Sequence, residues 1–208
     1  MRVSALALVA ILLSPTPAGA EWQIKPFVGI SWGGSTTFVD LEQAAGSANV
    51  VIGVSGLLMG EVLGIEADFG RAPDFFQRGF FWFGGEDVPI GGGSGGRKFS
   101  SSVTTLTGNL VIAVPRRLTE YTLRPYVVGG AGLMHVAIDD LGALPVASTL
   151  PTLNAGGGVT GFLSDRIGLS WDVRRFWSVG GKDRKQGFSF GPEQLSFWRA
   201  SMALAVRY

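Results

Sequence analysis

Eight stretches of this chain place apolar side chains at every second position, and the connections between them alternate long and short. No other feature constrains the fold as tightly. Period 2 is the signature of a β-strand, whose successive side chains point to opposite faces. The stretches are 22–32, 49–58, 62–71, 99–114, 123–138, 152–163, 166–176 and 196–208. In the third, Leu63, Ile65, Ala67 and Phe69 alternate with Gly64, Glu66, Asp68 and Gly70. In the last, Trp198, Ala200, Met202, Leu204, Val206 and Tyr208 interleave with Arg199, Ser201 and Arg207. The fifth is Gly-rich and its phase is ambiguous. Segments 59–61, 115–122 and 164–165 are the short connections; 33–48, 72–98, 139–151 and 178–194 are the long ones.

Taken alone, a strand such as 196–208 fits two settings. In a soluble sheet its apolar face meets a core; in an outer-membrane barrel that face meets lipid and the polar face lines the interior. Composition and targeting favour the membrane. Charged residues make up only 16% of the chain, against about 25% in an ordinary soluble domain. Residues 1–20 read as a secretory signal peptide: Arg2 is the basic start, Val3 to Leu13 the apolar stretch, and Ala18-Gly19-Ala20 the small-residue cleavage site. No other apolar run approaches the roughly 18 residues of a membrane-spanning helix.

The connection lengths then choose the architecture. Short turns on one side and long loops on the other are the layout of an up-and-down outer-membrane barrel. Tilted strands of about 10 residues cross the hydrocarbon layer, and closure leaves no backbone edge unpaired within it. The expected fold is therefore an all-β, eight-stranded antiparallel up-and-down transmembrane β-barrel over residues 21–208. Both termini fall on the short-turn, periplasmic side of the outer membrane of a diderm bacterium.

These features carry a resemblance. LGIEADFG (63–70), RPYVVGGAGL (124–133), IGLSWDVR (167–174) and the aromatic-terminated MALAVRY (202–208) resemble the small eight-stranded outer-membrane barrels of the OmpA-transmembrane-domain and OmpX type, the porin-family outer membrane β-barrel proteins. The resemblance covers essentially the whole mature chain and concerns architecture, not one activity. It implies surface display of loops, outer-membrane lipid and lipopolysaccharide as surroundings, and reading of the terminal aromatic by the outer-membrane assembly machinery. The peptidoglycan-binding domain that follows the barrel in full-length OmpA relatives is not expected after Tyr208.

Several function classes are disfavoured. Cysteine is absent, so there is no thiol nucleophile or thiolate metal site. Loss of Arg2 with the signal segment leaves 16 basic and 16 acidic residues, with no basic surplus for nucleic acid. Gly156, Gly158 and Gly161 satisfy a dinucleotide-binding spacing but lie in a strand with no helix to receive a pyrophosphate. Asp68-Phe69-Gly70 lacks the lysine strand and catalytic loop that would make it a kinase motif. Gly91 to Gly96 is flexible-loop composition. His135 is the one histidine; with no recognisable nucleophile and acidic partner it reads as a rim or interior polar residue. Neither enzyme activity nor a cofactor or metal is expected.

Two groups remain as candidate functional residues. Lys25, Glu66, Asp68, Asp172, Arg174, Arg199 and Arg207 all fall on the inward phase of their strands. An eight-stranded barrel is only wide enough for side chains to fill it, so these charges are expected to pair and block the lumen. In the second long loop, Phe75, Phe76, Phe80, Phe81, Trp82 and Phe83 crowd into one segment. They read either as a continuation of the interfacial aromatic girdle or as a surface for an extracellular ligand. The expected function is a structural or surface-interaction role with a filled lumen. The alternatives are a narrow or gated channel or hydrophobic-compound transporter and, third, a lipid-A-modifying barrel enzyme.

Overall fold

The structure, a computed structural model, describes residues 20–36, 48–73, 75, 100–115, 118–119, 123–139, 146–179 and 195–208. Residues 1–19 of the expected signal segment lie outside these. The described strands are β1 (Glu21–Thr36), β2 (Asn49–Met59), β3 (Leu63–Pro73), β4 (Ser100–Ala113), β5 (Leu123–Asp139), β6 (Val146–Phe162), β7 (Ile167–Ser178) and β8 (Leu195–Arg207). Each pairs antiparallel with its sequence neighbours, and β1 closes onto β8, giving a closed eight-stranded barrel. No described helix is long and apolar enough to cross a membrane.

Alternation places the side chains as the sequence implies. Along β3 the exposed residues are Leu63, Ile65, Ala67, Phe69, Arg71 and Pro73, and the buried ones are Gly64, Glu66, Asp68, Gly70 and Ala72. Outward faces elsewhere carry Val28 and Ile30, Ile52 and Val54, Leu106 and Leu110, Val127 and Leu133, Trp171 and Val173, and Met202 and Leu204. In β5, whose phase is ambiguous in the sequence, Arg124, Tyr126, Val128, Met134 and Val136 point inward, whereas Leu123, Val127, Leu133 and His135 point outward.

One expectation about the connections needs correcting. Strand β6 starts at Val146, not Thr152, and β5 runs to Asp139. Their long hairpin pairs residue by residue from Leu123↔Gly161 to Ile138↔Val146. The supposed long connection 139–151 therefore shrinks to 140–145, shorter than 114–122 on the other side. The sequence misled here because Pro151 looks like a terminator, yet it points outward in β6, opposite Leu133.

The end carrying both termini is tied by backbone bonds from Tyr208 N–H to Trp22 C=O (2.9 Å) and from Arg207 N–H to Arg166 C=O (2.8 Å). Near the opposite, loop end, the β1–β8 pairing shifts register between Trp32 and Ser35. Gly33 sits in that shift with φ +60°, the left-handed region that a residue without Cβ adopts at such bulges without cost.

Candidate functional site

The lumen is filled in three layers. At the loop end, Phe27, Val51, Ala72, Phe75, Val103, Met134, Val136, Phe176, Leu195, Phe197 and Ala203 form one apolar cluster. At the terminal end, Leu57, Met59, Val111, Ala113, Tyr126 and Val128 form another. Between them lies the charge network.

Arg174 stands at its centre. Its Nη1 donates to Glu66 Oε1 (2.5 Å), its Nη2 to Glu66 Oε2 (3.2 Å) and to Asp172 Oδ2 (2.9 Å), and Asp68 Oδ2 lies 3.9 Å from Nη1. Arg199 grips Asp68 with both terminal nitrogens, each at 2.9 Å. The same guanidinium lies 4.6 Å from the Phe27 ring centre and 4.9 Å from that of Phe176, so it joins the charged layer to the apolar one through its faces. Ser201 donates to Asp172 Oδ1 (3.0 Å), and Tyr126 donates to Asp172 Oδ2 (3.3 Å). Four of these charged groups, Glu66, Asp68, Arg174 and Arg199, are at most 4% exposed. Burial of that depth is tolerable only because each charge meets an opposite one in good hydrogen-bond geometry.

Neutral groups that sequence reasoning missed extend the network. Asn109 Nδ2 donates to Glu66 Oε1 (2.9 Å), and Asn154 Nδ2 donates to Asn109 Oδ1 (2.8 Å). The bond crosses from β4 to β6, over β5, along the rung Glu66, Asn109, Gly130, Asn154. Gly130 makes the crossing possible, since a Cβ there would collide with Asn109 Oδ1. An inward asparagine opposite an inward glycine is the signal that reveals this, and it needs the register to be known first.

Two of the seven expected charges do other things. Lys25 is 3% exposed and lies 5.3 Å from the Tyr126 ring centre, on the terminal side of the network. Arg207 does not reach the acids of β3 or β7. It sits at the terminal rim, where Nη1 is 3.2 Å from both carboxylate oxygens of Glu21 and Nε donates to Asp165 C=O (2.6 Å). The reason is height: Arg207 pairs with Gln23 at the very end of β1, well away from Glu66 and Asp68. Arg124, also unforeseen, donates to Val114 C=O (3.0 Å), Gly60 C=O (3.1 Å) and Glu61 C=O, tying the β2–β3 turn to the start of β5.

The aromatic loop divides. Phe75, which reads in the sequence as part of either the aromatic girdle or a ligand surface, is 1% exposed and folds into the lumen, edge-on to Phe197 at 5.2 Å, which in turn stacks on Phe176 at 5.2 Å. Asn49 Nδ2 holds the Phe75 C=O at 2.7 Å. Outward phase ends at Pro73, so strand alternation no longer governs where Phe75 goes. Phe76, Phe80, Phe81, Trp82 and Phe83 lie outside the described residues. His135 is on the outer face, its Nδ1 2.9 Å from Thr149 Oγ1. Among the described residues no group of three or more His, Cys, Asp or Glu side chains is placed to hold a metal.

No family model matches this sequence, and no curated protein matches it. Solved structures match in fold. Neisserial surface protein A is 13% identical, with a TM-score of 0.58 over 91% of this chain and 99% of its own. The N-terminal β-barrel domain of Pseudomonas aeruginosa OprF is 11% identical, with a TM-score of 0.52 over 91% of this chain and 98% of its own. At such identities the likeness is one of fold, and this chain has the fold of the small eight-stranded outer-membrane barrels.

Proposed function

We propose that this chain is an integral outer-membrane barrel of a diderm bacterium, closed through its middle and acting through its surface, not as an enzyme or an open pore. The observation that carries this is the filled lumen. Glu66, Asp68, Asp172, Arg174 and Arg199 satisfy one another across the barrel, and the Phe75–Phe197–Phe176 stack caps them at the loop end. The cavity left beside Lys25 and Tyr126 is only about 20 Å³, room for about one water. An uncharged, apolar outer band supports the membrane setting, as does a fold shared with outer-membrane proteins. In this reading both termini are periplasmic, the long loops face outward to meet lipopolysaccharide or an extracellular ligand, and the strand ending in Tyr208 is what the assembly machinery reads.

Planar-bilayer recording of the refolded chain 21–208 tests the closed-lumen reading. The expected result is no steady single-channel conductance. A stable ohmic conductance from correctly folded protein would overturn it in favour of the channel alternative.

A further inference from the structure

Outward-facing residues of β3 to β6 form continuous rungs because register passes unbroken from strand to strand. Phe69 pairs with Leu106, Leu106 with Leu133 and Leu133 with Pro151, so one rung is wholly apolar. The next rung toward the loop end is Arg71, Thr104, His135, Thr149. Beyond it stand Pro73, Ser102, Ala137 and Ala147. A band of apolar side chains thus meets, within one step of the pleat, a row of one guanidinium, one imidazole and two hydroxyls, and then a row of small residues.

Arg71 is the first charged side chain on the outward face of β3. It is exposed, and among the described residues it makes no hydrogen bond or ion pair. His135 and Thr149 are also exposed, and their mutual bond occupies one ring nitrogen. Two strand spacings separate Arg71 from His135, about 10 Å, with the Thr104 hydroxyl between them. On strands tilted by about 40° such a rung changes depth by about 6 Å, roughly the thickness of one head-group layer. The small residues beyond leave a shelf on which a bulky head group can lie.

We propose that this rung is a binding site for the phosphate of a membrane lipid head group in the outer leaflet. Arg71 and the His135 Nε2–H take the phosphate oxygens, Thr149 donates to His135 Nδ1 and so holds that tautomer, Thr104 adds a hydroxyl donor, and the acyl chains run down over Phe69, Leu106 and Leu133. A lipid fits better than a free anion because the charged rung continues directly into the apolar band. This rests on the outer-membrane reading above and goes beyond it by naming the ligand chemistry and the residues that meet it.

The test uses the refolded chain 21–208 and its Arg71→Ala/His135→Ala and Arg175→Ala variants in detergent micelles. Native mass spectrometry counts bound diphosphorylated lipid A, its enzymatically dephosphorylated form, and the diphosphorylated form in the presence of millimolar inorganic phosphate. Arg175 is the control because it is the outward arginine of β7, beside Trp198, on another side of the barrel. The expected result is at least tenfold weaker binding of the diphosphorylated lipid by the double variant, little change for Arg175→Ala, weak binding of the dephosphorylated lipid by every form, and no competition by inorganic phosphate. Equal binding by the double variant and the parent chain, or equal loss on Arg175→Ala, would overturn the site. Competition by inorganic phosphate would make it a free-anion site and overturn the lipid assignment. Heat-resistant compact migration and vesicle insertion of all three proteins are measured alongside. Failure of these in the parent chain strikes the barrel reading itself; their success with unchanged lipid binding strikes only the rung.

Discussion

With Glu66 on one side and Asp172 on the other, Arg174 answers one fully buried carboxylate and one that is largely buried. Removing it alone leaves buried charges without a partner, which costs about 3–5 kcal/mol, whereas replacing a whole buried ionic group by apolar residues of similar volume is near neutral. Arg174→Ala is therefore expected to lower the urea midpoint of unfolding in lipid vesicles sharply. Arg174→Met with Glu66→Met, Asp172→Leu and Lys25→Met, which removes the buried ammonium beside those acids as well, is expected to recover most of it; a quadruple variant as unstable as the single one would show that the acids matter for more than pairing. A second residue-scale expectation comes from glycine. Gly130→Ala sets a Cβ against Asn109 Oδ1 and against the β4 backbone at Gly108 and Asn109, so it is expected to push Asn109 off Asn154 and strain the β4–β5 pairing, costing at least about 1–3 kcal/mol through the stranded buried amides. Gly108→Ala, where a Cβ meets nothing within 4 Å, should leave the same midpoint unchanged.

At the scale of the strand, β8 offers the cleanest separation of faces. Leu204 is 44% exposed on the outward face and Ala203 is 8% exposed in the lumen. An arginine facing hydrocarbon near the bilayer midplane costs about 2–4 kcal/mol, so Leu204→Arg is expected to reduce the fraction of chain that folds into vesicles, measured by heat-resistant migration, while Ala203→Ser folds like the parent. Equal folding of both would contradict a lipid-facing β8. The contrast is readable from the sequence alone because the lumen side of β8 carries Arg199 and Ser201. Strand β5 shows where that legibility ends. Its inward Val128, Met134 and Val136 are as apolar as its outward Val127 and Leu133, since the two ends of this lumen are packed with hydrocarbon, and Gly129, Gly130 and Gly132 remove further contrast. With the phase of β5 hidden, so were Arg124 and Tyr126. The charged pairs were foreseeable as a set, but which arginine meets which acid depends on register. That is why Arg207 turned out to answer Glu21 at the rim.

Seen whole, the barrel carries two blocks above its buried terminal layer: hydrocarbon at the loop end and paired charge in the middle. These blocks lie in series, so opening one leaves the path shut. Phe176→Ala with Phe197→Ala removes one of the two rings over Arg199 and the ring stacked on it and deprives Phe75 of its edge contact, yet Arg174 and Arg199 still span from β7 and β8 to the acids of β3. That variant is expected to stay silent in planar bilayers while losing stability, since truncating a buried Phe costs about 3–5 kcal/mol. Replacing Arg174, Glu66 and Asp172 by alanine, with the aromatic stack intact, should also stay silent, because the upper layer still excludes ions. Only the combination opens both constrictions, and it should show discrete current steps that lessen when Arg199 is changed to a bulkier tryptophan. Steps from either single-layer variant would mean that one layer alone holds the path shut, and the second is then packing that contributes to folding and not to closure. Silence of the combined variant, in protein shown to be folded and inserted, would place the barrier at the terminal end, where Leu57, Met59, Val111 and Tyr126 form the remaining buried layer.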